Sequence, residues 1–343
     1  MERALELARQ YRTHPNPRVG AVVVAPDGQV IGEGAHVGPG RAHAEAVALA
    51  EAGEGARGAT IYSTLEPCTV DGRTPPCVDA LIASGIRRVV VGAIDPDPRV
   101  SGKGIETLRG AGIEVVEGVM TDEIRDMDPA YFHHRETGMP LVTLKYAMTL
   151  DGSVAAVDRT SQWITGEEAR TDAHLLRAES DAIVVGAGTL RSDDPQLTVR
   201  LDGYEGPQPT PVVIAGRSPL LGAARIWERE PLVIATSDRP IPSGTQLVVD
   251  GDDGRPNPVA VCRELAAAGL LAVLLEGGPT LAGEWWRAGI VSSGVAYIGA
   301  RLGGGSGISP LGGLFDTIGA ARVVSITGVR SLGSDIRVDF QQK

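Results

Sequence analysis

Hydrophobic and polar positions alternate in two successive series along the 343 residues. In the first, residues 2–11 carry apolar side chains at helical spacing, the turn HPNPRVG follows, and the apolar run Ala21–Ala25 reads as a strand. Asp27–Gly28 predicts a hairpin into QVIGEGAH. Beyond it the pattern predicts a helix over 42–52, a buried strand over 59–64, a helix over 76–84, a strand over 88–93, a helix over 102–111 and a short strand at Ile113–Glu117. Such alternation implies a mostly parallel sheet flanked by helices. Between Asp122 and Pro140 the sequence turns polar and irregular, which places a domain boundary there. From Leu141 a second series runs through LVTLKYAM, DAIVVGAG, TPVVIAG, PLVIATS, TQLVV, LLAVLLEGG and GVAYIGARL, with helices expected over 167–179, 257–269 and 280–288. The expected domains are 1–137 and 138–343, both α/β. GGGSG at Gly303–Gly307 reads as one flexible loop.

Composition narrows the class. With 43% hydrophobic residues, 45 glycines and 4% aromatics the chain is a turn-rich globular protein. A formal net charge of −11 argues against a nucleic-acid partner, because affinity for a phosphate backbone needs clustered Lys and Arg. A small phosphorylated ligand needs only a few local cations. The opening MERALELARQYR lacks the apolar core of a signal peptide, and no run reaches membrane-spanning length, so a cytoplasmic protein without a membrane partner is expected. In a reducing compartment the cysteines Cys68, Cys77 and Cys262 point to metal ligation or burial before disulfides, and Cys262, in VAVCRELAAAG, reads as a buried helix residue.

The chemistry concentrates near the front. A catalytic zinc takes three protein ligands, and His43, Cys68 and Cys77 supply a nitrogen and two thiolates. Glu45, two residues after His43, is then free to handle protons. Zinc deaminases carry H-x-E followed by P-C-x-x-C. Here the order is His43-Ala44-Glu45, then Pro67-Cys68, with DGRTPP in the longer gap before Cys77, and Pro76 suits the first turn of a helix. An isolated H-x-E is usually surface helix, and two cysteines at this spacing are usually core. Their joint order behind Thr64-Leu65-Glu66 is what selects the metal reading.

The strings HPNPRVGAVVV, HAEAVAL, TLEPC, GRTPPC and DPDPRVSGKG resemble the deaminase half of the bifunctional deaminase–reductase family of riboflavin biosynthesis, whose cysteine gap is also long. The resemblance continues through KYAMTLDGSVA, SQWIT, GAGTLRSDDPQLTVR and LLEGGPTLAG, nearly the whole chain. It implies a cytidine-deaminase-like three-layer α/β/α domain holding one zinc, followed by a dihydrofolate-reductase-like α/β domain using NADPH. The implied substrate is 2,5-diamino-6-ribosylamino-4(3H)-pyrimidinone 5′-phosphate, which loses its ring amino group before its ribosyl group is reduced to ribityl. Asn16 matches a family position that hydrogen-bonds the pyrimidine, and Arg73 and Lys103 are candidates for its phosphate; a turn asparagine and solvated cations are the ordinary alternatives. Val70 stands where the family usually has histidine and Asp97 where asparagine is common. Val70 keeps two alternatives open: a reductase with an impaired deaminase domain, and a deaminase–reductase acting on a modified pyrimidine. A nucleic-acid editing deaminase with an accessory domain is a further alternative, opposed by the acidic balance and the few aromatics.

In the second domain, pattern alone gives glycine turns after strands, at Val185–Thr189 and at Leu274–Gly283, without the G-x-G-x-x-G spacing of a dinucleotide fingerprint. The resemblance adds cofactor contacts at Ala147, Trp163, Thr189 and Asp193 and through the turn Gly278, Pro279, Thr280, Leu281, Ala282, Gly283 and Glu284. It adds substrate contacts at Ser161, Arg177, Leu197, Arg200 and Glu276. Gly216 replaces a serine that the family can use against the cofactor, and Lys145 and Asp151 lie beside the expected site. Strand edges of this fold often pair, so a homodimer or higher homo-oligomer is expected.

Overall fold

Apolar residues at positions 4, 5, 7 and 8 form the buried stripe of helix α1 (Glu2–Arg9), which packs on the first strand of the chain. The structure is a computed structural model describing residues 1–70, 75–217, 219–305, 307–313 and 317–343, and it divides into two units, Met1–Gly138 and Met139–Lys343.

In the first unit α1 is followed by β1 (Gly20–Val24), β2 (Val30–Ala35), α2 (Ala44–Ala52), β3 (Thr60–Leu65), α3 (Cys77–Ser84), β4 (Arg88–Ala93), α4 (Lys103–Gly110), β5 (Glu114–Val116), α5 (Thr121–Met127) and α6 (Pro129–Thr137). The hairpin at Asp27–Gly28 forms as expected, with Gly28 at φ 92°. Among the described residues the sheet has the order β2-β1-β3-β4-β5. It is mixed, not mostly parallel: β1 runs antiparallel to both neighbours, and only β3, β4 and β5 are mutually parallel. A hairpin between the first two strands requires this, since a tight turn reverses the chain.

The stretch read as irregular between Asp122 and Pro140 is helical, forming α5 and α6. Its polar composition hid two short helices, although the punctuation of the second was present: Asp128 precedes Pro129 at the first helical position, and Gly138 closes α6 at φ 73°. Tyr131 and Phe132 are the buried anchors of α6.

The second unit contains β6 (Leu141–Thr149), α7 (Glu167–Ala178), β7 (Ala182–Gly186), α8 (Ala187–Asp193), β8 (Thr210–Ile214), β9 (Leu232–Ala235), β10 (Thr245–Val248), the short pair β11 (Gly251–Asp252) and β12 (Arg255–Pro256), α9 (Pro258–Ala267), β13 (Ala272–Leu275), α10 (Pro279–Arg287), β14 (Ser293–Gly299), β15 (Val324–Leu332) and β16 (Asp335–Gln342). Asn257 caps α9 by accepting from the N–H groups of Val259 and Ala260, with Pro258 next to it. Among the described residues the main sheet has the order β10-β9-β8-β7-β13-β6-β14-β16-β15. Strands β10 to β14 in that order are parallel, and β16 and β15 add an antiparallel edge.

Alternate residues of β7 feed two separate cores, Val184 on one face and Ile183 and Val185 on the other, as a strand covered on both sides must. Cys262 is wholly buried in α9. The chain leaves β6, crosses to β7, winds outward to β10 and returns to insert β13 between β7 and β6. That reversal opens a crevice at the carboxyl ends of the central strands, the place where open α/β sheets bind ligands. The β15–β16 hairpin has no counterpart in the strand pattern read from sequence, because β15 is an edge with exposed apolar and polar residues intermixed.

Candidate active sites

In the first unit, α2 lies against β2 at a separation that only glycine permits. A Cβ on Gly34 would sit 2.1 Å from the carbonyl oxygen of Ala44, and one on Gly32 would sit 2.2 Å from that of Ala48. This contact fixes the start of α2, where His43 is the N-cap residue and Glu45 occupies the first turn. Cys68 follows the end of β3, and Cys77 opens α3 with Pro76 as its N-cap, one position earlier in the helix than the spacing suggested.

The three ligands converge. His43 Nδ1 lies 3.2 Å from Cys77 Sγ and 3.5 Å from Cys68 Sγ, and among the described residues these ligand atoms all lie within 4.8 Å of one another. Tetrahedral ligands at zinc bond lengths are about 3.3–3.8 Å apart, so the trio fits that ion in both donor type and spacing. The Cys77 N–H donates to Cys68 Sγ at 3.4 Å. The Cys68 thiol is drawn below its ordinary range, chiefly by its hydrogen bond with the Cys77 thiol and then by His43. Glu45 is 3% exposed, and burial pushes its carboxyl up to about 7. A carboxyl balanced in this way can both accept and return a proton near neutral pH.

Asn16 sits in the Thr13–Arg18 turn, with its Nδ2 2.9 Å from Nε2 of His36. His36 is buried and meets the His43 ring edge-on at 5.4 Å between centroids. The buried Asp128 carboxylate holds this turn, pairing with His14 Nε2 at 2.7 Å and accepting the Arg18 N–H at 2.9 Å. Glu66 organises the neighbouring loop by accepting the N–H groups of Gly102 and Gly104, each at 2.9 Å. Lys103 donates to the carbonyls of Pro98 and Arg99, so its ammonium closes that loop. Asp97 is held well below the usual carboxylate range, to about 2, chiefly by Arg99. Val70 is 37% exposed, and Arg73 lies outside the described residues.

In the second unit the crevice at the strand ends is a cavity of about 1040 Å³. Ala147, Trp163, Thr189 and Asp193 line it, as do Gly278, Pro279, Thr280, Leu281 and Glu284. Ser161, Arg177, Leu197, Arg200 and Glu276 line it too, together with Lys145 and Gly216. Ala282 and Gly283 do not: Ala282 is packed in the core, and a Cβ on Gly283 would lie 2.0 Å from the carbonyl oxygen of Gly312. They hold α10 in place beneath the crevice. The two glycine turns are tied together, the Gly278 N–H donating to Thr189 Oγ1 at 3.1 Å.

Charge in this crevice is arranged around Glu276. Arg177 grips it through Nε and Nη2 at 2.7 and 2.8 Å, and Lys145 Nζ stands 3.7 Å away. A third donor of Arg177 goes to the Thr198 carbonyl at 3.0 Å, which leaves, among the described residues, two of its five N–H groups for a ligand. His174 Nδ1 accepts the Arg200 backbone N–H at 3.2 Å. Burial, then Arg177 and Arg200, push His174 down to about 4, and burial followed by Arg177 also lowers the Arg200 guanidinium. Cations that disfavour one another across a crevice are relieved by an anion. Asp151 accepts the N–H groups of Gly303 and Gly304.

Sequence reasoning missed His36, Asp128, Glu66 as a loop anchor, and His174. The one available signal was His36 itself, the first histidine in GEGAHVGPGRAHAE, seven residues ahead of the metal ligand His43.

Fold and site together define a two-unit enzyme, a zinc-type deaminase followed by a reductase. Residues 1–93 match the family model for the cytidine and deoxycytidylate deaminase zinc-binding region, and residues 140–338 match that of the RibD C-terminal domain. The chain is 39% identical over 353 residues to the riboflavin biosynthesis protein RibD of Aquifex aeolicus, covering 100% of this chain and 97% of the relative. It is 39% identical over 356 residues to RibD of Escherichia coli, covering 98% and 96%. The chain belongs to the RibD family, bifunctional deaminase–reductases of riboflavin biosynthesis. Solved structures agree: Acinetobacter baumannii RibD superposes with a TM-score of 0.91 at 36% identity, covering 100% and 97%, and the Thermotoga maritima deaminase/reductase with 0.90 at 35%, covering the same shares. A reductase with an impaired deaminase half is not favoured by these matches, and the full-length likeness to RibD displaces the editing-deaminase alternative. Among the described residues no helix is long and apolar enough to cross a membrane.

Proposed function

We propose that the chain deaminates 2,5-diamino-6-ribosylamino-4(3H)-pyrimidinone 5′-phosphate at the first site and reduces its ribosyl group with NADPH at the second. The observation that carries the reading is the convergence of His43, Cys68 and Cys77 beside a buried Glu45, in a chain that also holds a cation-lined crevice. When bound, zinc supplies Lewis acidity for hydrolysis, and NADPH supplies the hydride. Glu45 takes one proton from the attacking water and passes it to the ring nitrogen, then carries the second water proton to the amine, which departs as ammonia as the carbonyl forms. Asn16 hydrogen-bonds the ring, and Arg73, outside the described residues, is kept as the phosphate candidate on the family likeness alone; the bonds Lys103 makes to its own loop favour a positioning role for it over a direct contact.

In the crevice, Arg177 and Arg200 hold the phosphate end, an anion there offsetting the burial and the Arg177 charge that disfavour the Arg200 guanidinium. Glu276 keeps Arg177 oriented, while Ser161 and Leu197 complete the substrate side. Ala147, Trp163, Thr189, Asp193, Gly278, Pro279, Thr280, Leu281 and Glu284 face the cofactor, with the start of α10 toward its phosphates. Orientation dominates this half-reaction, because an N-glycosylamine opens to an imine that accepts hydride without strong acid or base assistance.

The domains are placed at 1–137 and 138–343. Homodimers pair through the reductase unit, supported by Ile326 and Val329 on the edge strand β15, 65% and 62% exposed. A cytoplasmic setting follows from thiol ligands that must stay reduced.

Incubation with the diaminopyrimidinone phosphate, followed by mass analysis, tests the whole. Ammonia is expected without NADPH, and the ribityl product only with it. Glu45→Gln is expected to lower ammonia release about 10²–10⁴-fold while reduction of the deaminated compound persists. No ammonia from zinc-loaded protein would refute the first step.

A further inference from the structure

His36 has no role in the chemistry above, yet it is 3% exposed, lies directly after β2 and touches both Asn16 and the ring of the metal ligand His43. Its two ring nitrogens have partners of fixed polarity. Nδ1 lies 3.0 Å from the Ala42 carbonyl oxygen, which can only accept, so Nδ1 carries the proton. Nε2 lies 2.9 Å from Asn16 Nδ2, which can only donate, so Nε2 offers its lone pair. The backbones on both sides are also tied. The His36 N–H donates to the Val19 carbonyl at 2.9 Å, and Asn16 is bracketed by its N–H to Thr13 O at 2.9 Å and by Thr13 Oγ1 to Asn16 O at 3.0 Å.

We infer that His36 is a positioning residue that fixes the polarity with which Asn16 reads the pyrimidine ring. This rests on the reading of Asn16 as a ring contact. A carboxamide free to turn over presents its oxygen or its nitrogen with equal ease. Turning Asn16 here would set Oδ1 against the bare Nε2, two acceptors facing each other, and would leave a buried lone pair unsatisfied. The side chain therefore keeps Oδ1 and one remaining N–H for the ligand. One acceptor beside one donor matches the lactam edge of an aminopyrimidinone, an N–H beside a C=O. The His36–Asn16 pair therefore sets the single sense in which that edge is met.

Steady-state deamination by zinc-loaded His36→Phe and His36→Gln, with zinc content and NADPH-dependent reduction measured on the same preparations, tests this. Phe keeps the ring volume but neither hydrogen bond; Gln retains an acceptor for Asn16 and a donor for Ala42. His36→Phe is expected to raise the deamination KM tenfold or more with kcat within threefold, unchanged zinc and unchanged reduction. His36→Gln is expected to recover most of that loss. In a cycle with Asn16→Ala, the double variant is expected to be no worse than Asn16→Ala alone. Should Phe not be accommodated, His36→Ala enters the same cycle. An unchanged KM in His36→Phe, lost zinc in His36→Gln, or additive effects in the cycle would overturn the inference. If Asn16→Ala leaves KM unchanged, it is the assignment of Asn16 to the ring that fails, and the inference with it.

Discussion

Arg177 and Arg200 look equivalent in the sequence, two arginines expected at one phosphate. Arg177 is largely buried and bound to a buried Glu276, whereas Arg200 is exposed and, among the described residues, bonded through its side chain to Thr198 and through its backbone N–H to His174. Removing one partner of a buried pair strands the other, at a cost of about 3–5 kcal/mol, tempered here by Lys145 nearby. Arg177→Ala is therefore expected to lower the thermal midpoint of the reductase unit as well as raising its substrate KM. Arg200→Ala should raise KM with little change in midpoint, and equal unfolding midpoints for the two variants would contradict the distinction. At this scale the sequence yielded His43, Glu45, Cys68 and Cys77 because residue type and order alone restrict their chemistry. It did not yield His36 or Asp128, whose meaning lies in partners far along the chain, Asn16 in one case and His14 in the other.

Among the elements, α2 bears the most function for its length. The alternation of Gly32 and Gly34 places both on the face of β2 that α2 covers, so the helix start carrying His43 and Glu45 rests on bare backbone. Gly34→Ala would drive a methyl group into the Ala44 carbonyl, next to His43. We expect a loss of about 1–3 kcal/mol in stability, with weaker zinc retention on dialysis. Full zinc retention would show that the helix adjusts without moving its first turn. Elements were legible where periodicity was long and strong, as in α7, α9 and α10. The segment around α5 and α6 was not, since its polar composition matches a linker and only the Asp128-Pro129 start and the Gly138 stop mark α6. That short helix matters, because Asp128 at its start holds the Asn16 turn and Tyr131 within it donates to Asp95.

For the molecule as a whole, the two chemistries reside in separate units with separate requirements. Removing zinc with a chelator is expected to stop ammonia release and leave NADPH oxidation on the deaminated compound intact. Parallel loss of both activities would mean that metal binding supports more than the first unit. The sequence by itself determined the division into two α/β units, the metal ligands with their proton carrier, and the family, because each depends on residue type, order and local period. Tertiary structure decided the mixed first sheet, the crevice at the strand reversal, the placing of Arg177 beside Glu276 and near Arg200, and the polarity of Asn16 in the turn ahead of β1. These arise from groups brought together across many intervening residues, and a hydrogen bond or a shifted charge depends on the distance between atoms, which no local pattern records.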